Sequence, residues 1–117
     1  MSIHAMLRRL AVATVGACLA LSGTVARADA VTDEAKKLLA AKQAKAAFDL
    51  LSPLEPKRAG DPEFDYLLGI AAIDAGAPTR AIFALERVLT AQPGNTLARA
   101  EIARAYFAVG ETDTAKS

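Results

Sequence analysis

The sequence contains no tryptophan, and its single cysteine and single histidine, Cys18 and His4, both lie near its start. Residues 29–117 therefore carry neither a thiol nor an imidazole. No disulfide can form within this part of the chain. A zinc site needs several cysteine or histidine ligands, so it is excluded there as well. We expect no metal and no cofactor.

Neither sign of charge dominates the chain. The 117 residues have a formal net charge of +1. Residues 29–117 contain 11 of the 14 basic residues and all 13 acidic residues, so the net charge of this part is −2. Nucleic acid is bound by a stripe or patch of basic residues. A mildly acidic chain favours no such patch, so we expect no nucleic-acid partner.

The first thirty residues have the three regions of a bacterial signal peptide. Arg8–Arg9 supplies positive charge, residues 10–21 (LAVATVGACLAL) are uncharged, and residues 26–30 (ARADA) are mostly small. The apolar run is shorter than the ~20 residues that a membrane-spanning helix needs. We therefore expect residues 1–28 to be a signal peptide and the protein to be exported to the periplasm.

The processing of this segment has more than one solution. Small residues allow cleavage after Ala28 or after Ala30. Residues 15–18 (VGAC) also resemble a lipobox, in which Cys18 would be lipidated and would attach the protein to a membrane. The residues that follow stay apolar through Leu21, which favours ordinary cleavage over lipidation.

The chain from Val31 onward is dominated by strong helix formers and has no alternation of apolar and polar residues, so it predicts helices and no strands. Capping residues, prolines and glycines set the expected boundaries. They predict a first helix over 32–41 with Thr32 as N-cap, a second from near Ala44, and a loop over 56–60. A third helix is expected from Pro62, capped by Asp61, to Gly76, and a fourth over 79–92. A fifth is expected over 97–109, capped by Asn95 or Thr96 and ended by Gly110, and a sixth from Thr112.

Like residues recur at a spacing of 34. The pairs are Gly76 and Gly110, Leu68 and Ile102, Ala81 and Ala115, Ala47 and Ala81, and Leu51 and Leu85. A helix–turn–helix unit of 34 residues is the length of a tetratricopeptide repeat (TPR). The spacing divides residues 29–117 into units of about 28–61, 62–95 and 96–117, the last of them incomplete.

The chain resembles the TPR family at individual positions of this unit. The matching structural positions are Leu68, Gly69, Gly76, Ala81, Leu85, Pro93, Ile102, Ala103, Tyr106, Gly110 and Ala115. It departs from the family at Ala72, where an aromatic residue is typical, and at Lys42, which replaces the turn glycine. The resemblance implies an all-α helical-repeat solenoid of about two and a half units.

The resemblance also implies a binding surface, because the concave groove of a TPR domain is lined mainly by the first helix of each unit. By position, the groove residues are Tyr66, Ile70, Ile73, Asp74, Arg104 and Phe107. The competing interpretation is that Tyr66 and Phe107 pack between helices. The expected partner is a protein or peptide in the cell envelope.

Three functions remain open. No nucleophile motif or phosphate-binding loop is present, so a non-catalytic exported interaction module in envelope assembly or secretion is favoured over a small envelope enzyme. Residues 59–111 also resemble the periplasmic N-terminal TPR region of the surface lipoprotein assembly modifier family. That resemblance implies the alternative of a docking or plug domain, with this chain a fragment whose missing C-terminal barrel would lie in the outer membrane.

Overall fold

The computed structural model describes residues 30–116, with side chains through residue 111. The predicted signal peptide, including Cys18, lies outside the described residues. The helices are α1 (30–40), α2 (Ala44–Leu51), a 3₁₀ turn (Ser52–Leu54), α3 (Glu55–Arg58), α4 (Pro62–Asp74), α5 (Pro78–Ala91) and α6 (Thr96–Lys116). No strand occurs between residues 30 and 116, and no helix in this range is long and apolar enough to span a membrane. The predicted all-α fold is confirmed.

The start and end of α4 follow the local signals of the sequence. Asp61 Oδ1 accepts a hydrogen bond from the Glu63 backbone N–H at 3.2 Å, and Pro62 lies in the first turn, where no N–H is needed. The helix ends before Gly76, whose φ of +88° is a left-handed conformation that favours glycine. The chain then reverses into α5.

Asn95 is the N-cap of α6. Its Oδ1 accepts a hydrogen bond from the Ala98 backbone N–H at 2.9 Å, which satisfies one of the unpaired donors at the helix start. The sequence left Asn95 and Thr96 as equal candidates, and the structure places Thr96 inside the helix.

Two predicted boundaries in the first half of the chain are wrong. Thr32 is a buried residue inside α1, since residue 30 is already helical, and so it is not an N-cap. The predicted loop over 56–60 contains most of α3. Pro53 and Pro56 each lie at the start of a new helical segment, where the missing N–H leaves no hydrogen bond unmade, so these prolines redirect the helical path without ending it.

The prediction that Gly110 ends the fifth helix is also wrong, because α6 continues through it to Lys116 and no separate sixth helix begins at Thr112. Glycine permits a left-handed turn but does not impose one. The turn at Gly76 is held by the packing of α5 against α4, whereas residues 111–117 (ETDTAKS) offer one apolar side chain, Ala115, for similar packing. The Ala115 side chain lies outside the described residues.

Alanine substitutions distinguish these two glycines. Gly110→Ala is expected to raise the free energy of unfolding by about 0.5–1 kcal/mol, because alanine is the better residue within a helix and nothing lies within 4 Å of the added Cβ. Gly76→Ala is expected to lower it by about 1 kcal/mol, because its φ is positive. Urea unfolding followed by circular dichroism measures both. A destabilising Gly110→Ala would mean that Gly110 is a turn after all.

Helices α4 and α5 approach closely at a glycine. A Cβ built on Gly69 would lie 2.6 Å from Leu85 Cγ, so Gly69 is needed for the helices to pack at this separation. Leu68, Ala81 and Leu85 are buried around this crossing. The first large-then-small pair of the repeat, Leu68–Gly69, therefore lies in the core between the two helices.

A network of ion pairs joins α3, α4 and α5. Arg87 Nη2 donates to Asp65 Oδ1 at 2.9 Å and to Glu55 Oε2 at 2.7 Å, and Arg80 Nη2 donates to Glu55 Oε1 at 2.7 Å. Asp65 is 0% exposed, and its second oxygen accepts a hydrogen bond from the Gly60 backbone N–H at 2.8 Å. The network fixes the short helix α3 against the α4–α5 pair.

This network predicts a pH dependence of stability. Burial raises the pKa of the Glu55 carboxyl, but the hydrogen bonds and charges of Arg87 and Arg80 outweigh burial, so the pKa lies below its ordinary value of 4.5. A lowered pKa means that Glu55 contributes stability above about pH 4.5, and that this contribution is lost as the pH falls through the folded-state pKa.

Glu55→Gln is therefore expected to lower the free energy of unfolding by about 1 kcal/mol at neutral pH. The difference from wild type should shrink toward zero in acid below the folded-state pKa. Urea titrations of both proteins over a pH series measure it. A difference that stays constant across the series would mean that Glu55 acts by packing and not by its charge.

Candidate functional site

The surface between α4 and α6 contains a pocket of about 240 Å³. It lies where the start of α4 meets the α5–α6 connection and the start of α6. The residues that line it are Pro62, Glu63, Tyr66, Gln92, Asn95 and Leu97. Four of the six lining residues belong to α4 or α6, near the starts of these helices, and Gln92 and Asn95 belong to the α5–α6 connection.

Tyr66 is the one predicted groove residue that lines the pocket. It is half-buried and packs against the core cluster formed by α4, α5 and α6. The ring thus packs between helices in part, and its role in a groove stays a prediction. Burial raises the pKa of the Tyr66 hydroxyl, the Glu101 carboxylate raises it further, and the Arg104 guanidinium opposes them. Tyr66 is therefore a neutral hydrogen-bonding group beside a carboxylate.

Ion pairs between neighbouring helices lie on both sides of Tyr66. Arg104 of α6 contacts Asp74 of α4 and also donates to Glu101 Oε2 at 2.8 Å. On the other side, Lys36 Nζ of α1 lies 2.7 Å from Glu63 Oε1 of α4, and both side chains are about half exposed. The predicted residues Asp74 and Arg104 are thus brought together.

The remaining predicted groove residues differ in exposure. Ile70 is half-buried, whereas Ile73 is 8% exposed and belongs to the core beneath α5, so it offers little surface to a partner. Phe107, which the repeat places at the equivalent position of the next unit, is 69% exposed. The difference arises because α5 covers Ile73, and no described helix covers the matching face of α6.

The same reason explains two departures at structural repeat positions. At the spacing of 34, Ala103 corresponds to Gly69 and Tyr106 corresponds to Ala72. Gly69 and Ala72 are buried, whereas Ala103 and Tyr106 are exposed. Tyr106 is 54% exposed, and its hydroxyl lies 3.4 Å from Glu86 Oε1. The close helix crossing that the sequence predicts at Ala103 is not formed in residues 30–116.

Other repeat positions lie as follows. Ile102 is half-buried against the core, and Pro93 lies in the exposed connection before α6, where its carbonyl accepts a hydrogen bond from Arg99 Nη2 at 2.7 Å.

Within the part of the chain that the structure describes, no group of three histidine, cysteine, aspartate or glutamate residues is arranged to hold a metal ion.

Several pocket residues were not found from the sequence. Leu97 had a usable signal, because it lies 34 residues after Glu63 and both line the pocket. Gln92 and Asn95 belong to the connection between helices, and their positions depend on how α5 and α6 pack. A repeat spacing cannot supply that information.

Comparison with known proteins gives one family. Residues 72–117, which span the end of α4, α5 and α6, match the family model described as tetratricopeptide repeat. No significant match was found among curated proteins or solved structures, so the resemblance to the surface lipoprotein assembly modifier family finds no support there. Tetratricopeptide repeats are typically non-catalytic and indicate protein–protein interaction. Residues 72–117 of this all-α, TPR-like helical chain are thus similar to a tetratricopeptide repeat, a kind of repeat that suggests a protein-interaction module.

Proposed function

We propose that this protein is an exported, non-catalytic module that binds a segment of a partner protein on the surface between α4 and α6. The observation that carries this proposal is the pocket beside Tyr66, whose lining includes Glu63 of the Lys36–Glu63 ion pair. A half-buried aromatic ring fixed by packing loses little entropy on binding, and such residues commonly anchor interfaces.

The cellular place of the module is inferred from residues 1–30. Their basic, apolar and small-residue regions support export, and so a role in envelope assembly or secretion. A docking domain of a larger outer-membrane protein is the second candidate. It is favoured by the exposed aromatic face of α6, Tyr106 and Phe107, which would be covered by further protein.

Peptide binding tests the proposed surface. Peptides selected from a random library on the immobilised full chain are titrated against wild type, Tyr66→Ala and Phe83→Ala by fluorescence anisotropy. Tyr66→Ala is expected to weaken binding by about tenfold or more. Phe83 is a matched control, because it is an exposed aromatic residue on α5 that does not line the pocket. Equal losses in the two variants would place binding elsewhere.

The export proposal is tested by fractionating native cells and probing for residues 29–117. A band near the size of this segment in the soluble periplasm supports a free-standing module. A much larger band in the outer membrane supports the docking domain. Protein of full precursor length that stays in the cytoplasm would overturn export.

A further inference from the structure

The pocket beside Tyr66 combines one negative charge with an aromatic face and apolar walls. Among the described residues that line it, Glu63 is the sole charged one, and Pro62, Leu97 and the ring of Tyr66 supply the apolar surface. Leu97 is 67% exposed, so this wall is open to a ligand. A long aliphatic chain that ends in a cation matches this arrangement, since its stem packs on apolar surface while its charge meets the carboxylate.

The side-chain amide groups of the pocket also favour a ligand that donates hydrogen bonds. Asn95 Nδ2 donates to Gln92 Oε1 at 2.9 Å, and Asn95 Oδ1 is engaged in capping α6. The Gln92 oxygen accepts this one bond, and an amide oxygen can accept a second. A donor entering the pocket therefore finds both a carboxylate and an amide oxygen.

Two features of the site compete with a cation, and neither prevents its binding. The starts of α4 and α6 carry partial positive charge, but Asp61 and Asn95 already cap them, and Glu63 brings a full negative charge into the first turn of α4. Lys36 contacts one Glu63 oxygen, Oε1, at 2.7 Å. Ion pairs between half-exposed side chains contribute about 0–1 kcal/mol, so a partner cation can share or displace this contact.

The wider surface carries charges of both signs. Three carboxylates, Glu63, Asp74 and Glu101, face two cations, Lys36 and Arg104, and Arg104 is shared between two of the carboxylates. The Glu101 carboxylate is close enough to Tyr66 to raise the pKa of its hydroxyl, in addition to the effect of burial. Arg99, whose Nη2 donates to the Pro93 carbonyl at 2.7 Å, adds a third cation, so the negative charge available to a ligand is that of Glu63 in the pocket lining.

We propose that the pocket receives a lysine or arginine side chain of the bound segment, with its aliphatic stem on Pro62 and Leu97 and its cation between the Tyr66 ring and the Glu63 carboxylate. The inference rests on the proposed function and adds the chemical class of its ligand. With such a pocket, the module recognises basic residues in an extended or helical segment of its partner.

Peptide selection on the full chain tests this, with sequencing of the bound pool for wild type and Glu63→Gln. We expect lysine and arginine to be enriched at one position of the wild-type pool and this enrichment to be lost for Glu63→Gln. Replacing that residue by norleucine in a selected peptide should weaken binding to wild type by about two- to fivefold and leave binding to Glu63→Gln almost unchanged.

Lys36→Met is the matched control, because it breaks the same Lys36–Glu63 ion pair but keeps the carboxylate. Binding of the basic peptide should be unchanged or tighter in Lys36→Met. Equal weakening in both variants would assign the effect to the ion pair and overturn the inference. Peptides that depend on Tyr66 but show no basic enrichment would overturn the inference alone. Peptides that do not depend on Tyr66 would overturn the proposed function as well.

Discussion

Arg87→Met is expected to lower the free energy of unfolding by about 3 kcal/mol. Asp65 is 0% exposed, and Arg87 is the cation that compensates its charge. Removing one partner of a buried ion pair leaves the other charge buried, which typically costs about 3–5 kcal/mol. The lower end of this range is expected because the Gly60 N–H still donates to Asp65. The substitution also removes the buried Arg87 Nε–H, which has no hydrogen-bond partner in the described residues, and this offsets part of the loss.

Urea unfolding of Arg87→Met and Arg80→Met makes the comparison. Arg80 is the matched control, since it contacts the same network through Glu55 but its side chain is more exposed, and its loss should cost less than about 1 kcal/mol. Adding Asp65→Asn to Arg87→Met should recover part of the loss by removing the unpaired charge. Equal effects of the two arginine substitutions would show that burial of Asp65 does not determine the stability of this region.

Gly69→Ala is expected to lower the free energy of unfolding by about 2 kcal/mol, although alanine is the better helix former. The added Cβ would lie 2.6 Å from Leu85 Cγ and 2.8 Å from Leu85 Cδ2, so the α4–α5 crossing must widen or Leu85 must leave its rotamer. Overpacking of this kind costs about 1–3 kcal/mol, which exceeds the gain of about 1 kcal/mol from helix propensity.

Gly94→Ala is the control for this substitution, because Gly94 has no atom within 4 Å of an added Cβ and its φ is not positive. It should change stability by less than about 0.5 kcal/mol. In the Leu85→Ala background, Gly69→Ala should become nearly neutral. If it stays equally harmful there, the cost does not come from the contact with Leu85.

The sequence predicts those parts of the fold that depend on local chemistry. The start of α4 follows from Asp61–Pro62, because capping involves only neighbouring residues. Gly76 marks the end of α4, but its left-handed turn also depends on the packing of α5 against α4. The spacing of 34 predicts the pairing of α4 with α5. Gly110 has the same spacing but not the same structure, since α6 continues through it and glycine permits a left-handed turn without imposing one.

The candidate site is less accessible from the sequence, because it depends on distances between helices. Tyr66 was predicted from its repeat position, and so were Asp74 and Arg104, whose side chains contact each other in the structure. The pocket also needs Gln92 and Asn95, whose placement follows from the α5–α6 connection. The burial of Asp65 is a tertiary property too: the sequence offers an acidic residue in the first turn of a helix, which normally faces solvent.

Site-specific photo-cross-linking in the native cell tests whether a partner binds between α4 and α6. A benzophenone amino acid is placed in turn at Tyr66, Leu97 and Phe83 of the full chain, and cross-linked products are identified by mass spectrometry. We expect the same partner protein from Tyr66 and Leu97, with no product from Phe83. Cross-links that arise equally from Phe83, or that are absent from both pocket positions, would contradict a binding surface between α4 and α6.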